Sequence, residues 1–178
     1  MENGLACDTG TLLSLQIVAD DFHFVDLSRF NFITSTRAEQ ELKDFAQHND
    51  VLGRSAQKVL QGNLTIRKEQ GLQELKKVLG VSGRQRITET DLSVFLIAQK
   101  GRLPFFTDDF PVLIHLSSFF PEENIFHGIA LIARILSEKL STADIYQYIF
   151  NKFIPKRWPT MTEQRMVDID TILGEELE

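Results

Sequence analysis

The stretch Thr88 to Phe110 constrains this chain most, because it spells a helix, a tight turn, a buried strand and then acid. An apolar helix from Leu92 to Ala98 is expected to begin just after Asp91. Gly101-Arg102-Leu103-Pro104 reads as a turn, and the apolar pair Phe105 and Phe106 then runs into Thr107, Asp108 and Asp109. In an open α/β sheet, residues just past the carboxyl end of a strand line the ligand crevice. Asp108 and Asp109 therefore belong at its lip, with Asp91 facing it from the start of the preceding helix.

Near the beginning, Leu5-Ala6-Cys7-Asp8 has the same character: a short apolar run that stops at an acid, followed by a helix start at Leu12 and Leu13. Asp8 reads as the end of a buried strand, as a helix N-cap accepting backbone N–H bonds from the next turn, or as both. Phe22 to Leu27 and Phe30 to Thr34 are β-rich apolar runs, and the second leads through Ser35 into a helical Ala38 to Lys43. Glu39 and Glu41 sit two positions apart on that helix, so only one of them can easily face the crevice.

A hydrophobic content of 43% fits one soluble α/β domain spanning residues 1–178 with helical additions. From Val51 to Thr90 the helical pattern persists, with Leu72, Leu75, Val78 and Leu79 as its apolar stripe, so residues 51–86 read as a helical insertion. Its glycines recur without matching residues between them, which argues for short helices and against a repeat. Residues 118–178 read as a helical extension: a helix from Pro121 to Leu140, another capped at Ser141 and running to about Phe153 before Pro155, and a last one from the Thr160-Met161-Thr162-Glu163 capping box toward Leu173. Phe126, Ile129, Ile132, Ile135, Ile149, Phe150 and Phe153 are more apolar surface than a tail carries. These helices must cover the sheet or bind a partner.

The single cysteine, Cys7, excludes an intramolecular disulfide and a cysteine-based zinc site, which favours a reducing, cytoplasmic setting. No signal peptide is visible, and the most apolar long segment, Ile125 to Leu136, contains His127 and Arg134 and is too short to span a membrane. Net charge is −6, yet residues 51–86 hold eight bases against two acids, a local +6 that leaves −12 for the remainder. That segment reads either as a solvated helical face or as an arm that contacts RNA.

Several chemistries lack support. Asp8-Thr9-Gly10 matches the catalytic tripeptide of aspartic proteases, but a retroviral-type protease is an all-β dimer and this chain is rich in helical periodicity. A phosphatase of the haloacid dehalogenase type needs a second Asp where Gly10 stands. His23, His48, His115 and His127 show no pair at metal-ligand spacing, and no Gly-x-Ser-x-Gly nucleophile elbow is present.

Taken in order, the acids make the chain resemble PIN-domain ribonucleases, the fold of VapC-type toxins and of several RNA-processing nucleases. The residues that carry the resemblance are Cys7-Asp8-Thr9 before Leu12-Leu13, Ser35 followed by Glu41-Leu42, Asp91 opening the helix with Ile97-Ala98, and Thr107-Asp108-Asp109 after the apolar strand. It covers residues 1–50 and 86–115. The long basic segment, the small number of alanines after Asp91 and the C-terminal helices depart from the minimal family pattern.

The resemblance implies a three-layer α/β/α fold with a central, mainly parallel sheet, and metal-dependent hydrolysis of RNA that leaves a 5′ phosphate. Asp8, Glu41, Asp91 and Asp109 become the catalytic metal ligands, with Asp108 as the alternative fourth ligand and Thr9, Ser35 and Thr107 as their orienters. Chemistry agrees. Carboxylates converging in one cleft raise each other's pKa unless divalent cations sit among them, and hard oxygen ligands suit Mg²⁺ or Mn²⁺. Arg67, Lys68, Lys76 and Lys77 are the expected contacts to a single-stranded RNA. An antitoxin or other protein partner and a homo-oligomer are further partners that the family suggests. The competing reading is a PIN-like scaffold or interaction module without activity; the presence of all four acids favours the enzyme.

Overall fold

The structure, a computed structural model, describes residues 4–80 and 87–178. Among these, five strands, β1 (Leu5–Cys7), β2 (Phe32–Ser35), β3 (Leu64–Arg67), β4 (Phe105–Thr107) and β5 (Ile125–His127), form one parallel sheet in the order β3-β2-β1-β4-β5. Between and after them run α1 (Thr9–Asp21), α2 (Thr36–Phe45), α3 (Val51–Gln61), α4 (Leu72–Leu79) and α5 (Glu89–Gly101). The chain continues with α6 (Phe110–Phe119), α7 (Gly128–Ser137), α8 (Thr142–Tyr148), α9 (Ile154–Arg157) and α10 (Glu163–Leu177).

Because side chains alternate across a strand, each short strand feeds two cores. Leu5, Cys7, Phe32 and Phe106 face a cluster built with α1, α3, α7, α8 and α10. Ala6, Ile33 and Phe105 face the opposite cluster, built with α4, α5 and α6. The result is the three-layer α/β/α arrangement expected from the sequence. Ile129, Ile132, Ile135, Ile149 and Phe153 are buried in the first cluster, so the C-terminal helices do cover the sheet.

Register matters more for the site than strand length. Ala6 is opposite Ile33 on one side and Phe105 on the other, which brings the residues that follow β1, end β2 and end β4 to one level: Asp8, Ser35 and Thr107. Both edge strands depart from the expected elements. β3 lies inside the segment read as a helical insertion, where Leu64-Thr65-Ile66, with two β-branched residues, is too short a run to stand out between two helices. β5 lies inside the helix expected from Pro121 to Leu140, because its apolar residues run without a break into α7.

Phe22 to Leu27 is not a strand either. Phe22 closes α1 and its ring packs edge-on to Tyr148 at 4.6 Å, while the Asp26 carboxylate accepts from the Ser28 amide and starts a 3₁₀ turn at Leu27–Arg29. At the other end, α8 does not stop before Pro155. Residues Ile149–Phe153 form wider π-helical turns, with the Ile154 amide bonded to the Ile149 carbonyl, and the helix then continues as α9 through Pro155 to Arg157. Widened turns make room for a proline ring that would otherwise clash with the carbonyl four residues earlier. Among the described residues, no helix is long and apolar enough to cross a membrane.

Candidate active site at the carboxyl edge of the sheet

Asp8 follows β1 directly and caps α1, so the alternative readings of this residue are both realised. One carboxylate oxygen accepts from the Thr11 amide at 2.6 Å and the other from the Asp108 amide at 3.2 Å. Asp8 is thereby tied to β1, α1 and the end of β4 at once, and it is only 3% exposed. Burial pushes its pKa up to about 7; the charges of Asp108 and Asp91 add to this, and the Thr107 hydroxyl and Thr11 amide act against it.

Asp91 lies in the first turn of α5, which begins three residues earlier than expected: Thr88 is the N-cap and Asp91 is its partner in a reciprocal capping box. Burial raises the pKa of Asp91, and the charges of Asp109 and Glu41 add to it, against the bonds from Thr88. Glu41 is the member of its pair that faces inward and accepts from the Thr9 hydroxyl at 2.8 Å, whereas Glu39 pairs with Lys43 at 2.7 Å on the surface. Asp109 caps α6 by accepting from the Val112 amide at 3.2 Å. Together with Asp108, these acids line one cleft of about 680 Å³.

Two of the three expected orienting residues touch an acid: Thr9 holds Glu41, and Thr107 faces Asp8 and accepts from the Asp109 amide. Ser35 works one step further back. It caps α2, and its hydroxyl accepts from Ser93 of α5 at 2.6 Å, which fixes the helix carrying Glu41 against the helix carrying Asp91.

The basic residues sit elsewhere. None of the described residues of segment 51–80 lines the cleft. Arg67 ends β3 with a guanidinium nitrogen 3.7 Å from where a Cβ on Gly101 would lie, at the far end of α5 from Asp91. Lys76 is engaged by Glu89 at 2.6 Å, and Lys68 and Lys77 are exposed. Arg84 and Arg86 lie outside the described residues. Among the described residues, the cleft's cations are instead Arg157 and Arg165, on a wall that also includes Trp158 and Met161. Nothing in the local sequence around Arg157 marks it as a site residue. Ser14, which bonds both Asp108 and Arg157, is signalled only as a hydroxyl within an apolar helix.

In kind and position the acids fit a hard divalent cation, since all are oxygen donors around one opening and a cation there would offset the burial and neighbouring charges that raise the pKa of Asp8. As placed, no three Asp, Glu, His or Cys side chains among the described residues form a ligand set. Asp91 uses one oxygen on its own helix start and Glu41 uses one on Thr9. Comparison with protein-family models, with curated proteins and with solved structures returns no match for this chain.

Proposed function

We propose that this protein is a metal-dependent ribonuclease of the PIN-like kind, with Asp8, Glu41, Asp91 and Asp109 as ligands for Mg²⁺ or Mn²⁺ and single-stranded RNA as substrate. One observation carries the reading: acids far apart in the chain line one cleft at the carboxyl edge of the sheet, each on a helix that starts there or just before its first turn. A divalent ion held there would supply polarisation of the phosphodiester, activation of an attacking water and charge stabilisation at the leaving oxygen. The chain's own residues supply position. Asp8 joins β1 to β4, Ser35 and Ser93 lock α2 to α5, and Thr9 and Thr107 aim Glu41 and Asp8. Asp108 is the less suitable fourth ligand, because Ser14 and Thr11 hydroxyls and Arg157 already surround it.

The competing reading is a PIN-like scaffold or interaction module without activity. Manganese decides between the two. At 100 times its dissociation constant, an ion that binds only the folded state adds about 2.7 kcal/mol, which for a chain of this size raises the melting temperature by roughly 5–10 °C. The parent protein is expected to show this rise in a thermal melt and the Asp8→Asn protein a smaller one. Equal rises in both would place the ion away from Asp8.

The basic face outside the cleft is, on this reading, an outer track for a longer strand. Changing Arg67, Lys68, Lys76 and Lys77 together to Gln is expected to flatten the plot of log K against log salt for a long RNA by about 0.7 for each phosphate that is no longer neutralised. A filter-binding series over several salt concentrations measures the slope, and an unchanged slope returns the segment to a solvated surface.

A further inference from the structure

An acid-lined cleft repels the substrate it is proposed to take, and an ion offsets that repulsion only at the scissile position. Neighbouring phosphates need a cation of their own, and none of the described residues of the basic segment, 51–80, is at the cleft. Arg157 is. Its Nε donates to the Ser14 hydroxyl at 3.0 Å, and its guanidinium lies over the Trp158 ring at 5.4 Å from the centroid. Nη2 passes beside the first turn of α1, 3.5 Å from where a Cβ on Gly10 would stand. The side chain is therefore fixed from behind.

Its charge partner does not occupy it. Asp108 is 3.7 Å from Nη2, too far for a hydrogen bond, and that carboxylate is served by the Ser14 and Thr11 hydroxyls. Among the described residues, the buried side-chain nitrogen and oxygen atoms without a partner belong to Glu69, His115 and His127 and to no arginine. The remaining N–H donors of Arg157 thus open onto the cleft. Arg165, the other cation of this wall, spends its guanidinium on Asp168 at 3.1 Å and on the Phe110 ring at 4.5 Å.

We propose that Arg157 binds a phosphodiester of single-stranded RNA next to the scissile one, presenting its planar fork across the first turn of α1 from Asp8. Two parallel N–H bonds from a fork held on Ser14 and Trp158 match a phosphate better than a lysine ammonium does. The inference rests on the nuclease reading for the identity of the strand, and Arg157 acts in it as a positioning residue.

The test is fluorescence anisotropy of a labelled RNA hexamer with the full chain in a Ca²⁺ buffer across a range of KCl, beside a Mn²⁺ titration of the same proteins. Arg157→Gln should weaken hexamer binding by about tenfold, the loss of one charge-assisted hydrogen-bonded phosphate, and flatten the salt slope by about 0.7. Arg157→Lys should keep the slope and lose several-fold in affinity. Mn²⁺ should bind Arg157→Gln as tightly as the parent or more tightly, because a cation beside the acids has gone. Should Arg157→Gln lose Mn²⁺ binding by misfolding, Arg157→Lys decides alone. Parental affinity and slope in the Gln variant, parental affinity in the Lys variant, or no hexamer binding by the parent overturns the proposal. Failure of the nuclease reading looks different: hexamer binding depends on Arg157, yet Mg²⁺ brings no cleavage.

Discussion

Asp91→Asn is expected to lower Mg²⁺-dependent RNA cleavage by about a hundredfold or more, as loss of a metal ligand exceeds the 10–100-fold typical of its supporting partners. The same protein in EDTA should melt at or above the parent temperature. Thr88 bonds only one oxygen of Asp91, and the Asn oxygen can accept both of those bonds, so the start of α5 survives. Removing the charge also relieves repulsion from Asp109 and Glu41. Asp8→Asn should be as inactive but gain less stability, because its two oxygens accept from two different amides and an Asn amide opposes the one from Asp108. Gel assays of a labelled RNA with both proteins measure the loss. Parental cleavage rates in either variant would sink the ligand assignment.

Gly53→Ala should be the most damaging single methyl addition in the helical layers. Gly53 lies in the first turn of α3, where an added Cβ would stand 1.9 Å from the His48 carbonyl oxygen and 2.9 Å from that of Phe45. Both are backbone atoms, so no rotamer change relieves the clash and α3 must move off α2. Overpacking of this sort costs about 3 kcal/mol, or roughly 10 °C in melting temperature for a chain of this length. Gly62→Ala is the control. Its Cβ would meet nothing closer than 3.4 Å and its φ is −83°, so the change should be neutral or slightly stabilising. Because α2 carries Glu41, Gly53→Ala should also depress activity beyond what partial unfolding explains. Equal melting temperatures for the two variants would refute the close packing of α2 and α3.

The residues legible in the sequence are those whose local role and site role coincide. Asp8, Asp109 and Ser35 each follow or end an apolar strand and prove to be N-caps, and the parallel register brings Asp8 and Ser35 to one level, with Asp109 two residues past it. Glu41 needs one more fact, the phase of α2, to be separated from Glu39. The edge strands are hidden for a physical reason: each is half-buried, three or four residues long and joined to helical sequence. Arg157 is hidden for a different one. It reaches Asp108 and Ser14 from the far end of the chain, and nothing near it in sequence encodes a contact made across the fold.

The π-helical turns at Ile149–Phe153 fix more than a route past Pro155. An α-helix advances about 100° per residue, so deleting one residue there to restore regular spacing would rotate α9 by that angle. Arg157 would swing away from Ser14 and Asp108 although no side chain lining the cleft had changed. The aim of that guanidinium is therefore stored as helical phase, in the count of residues between α8 and α9.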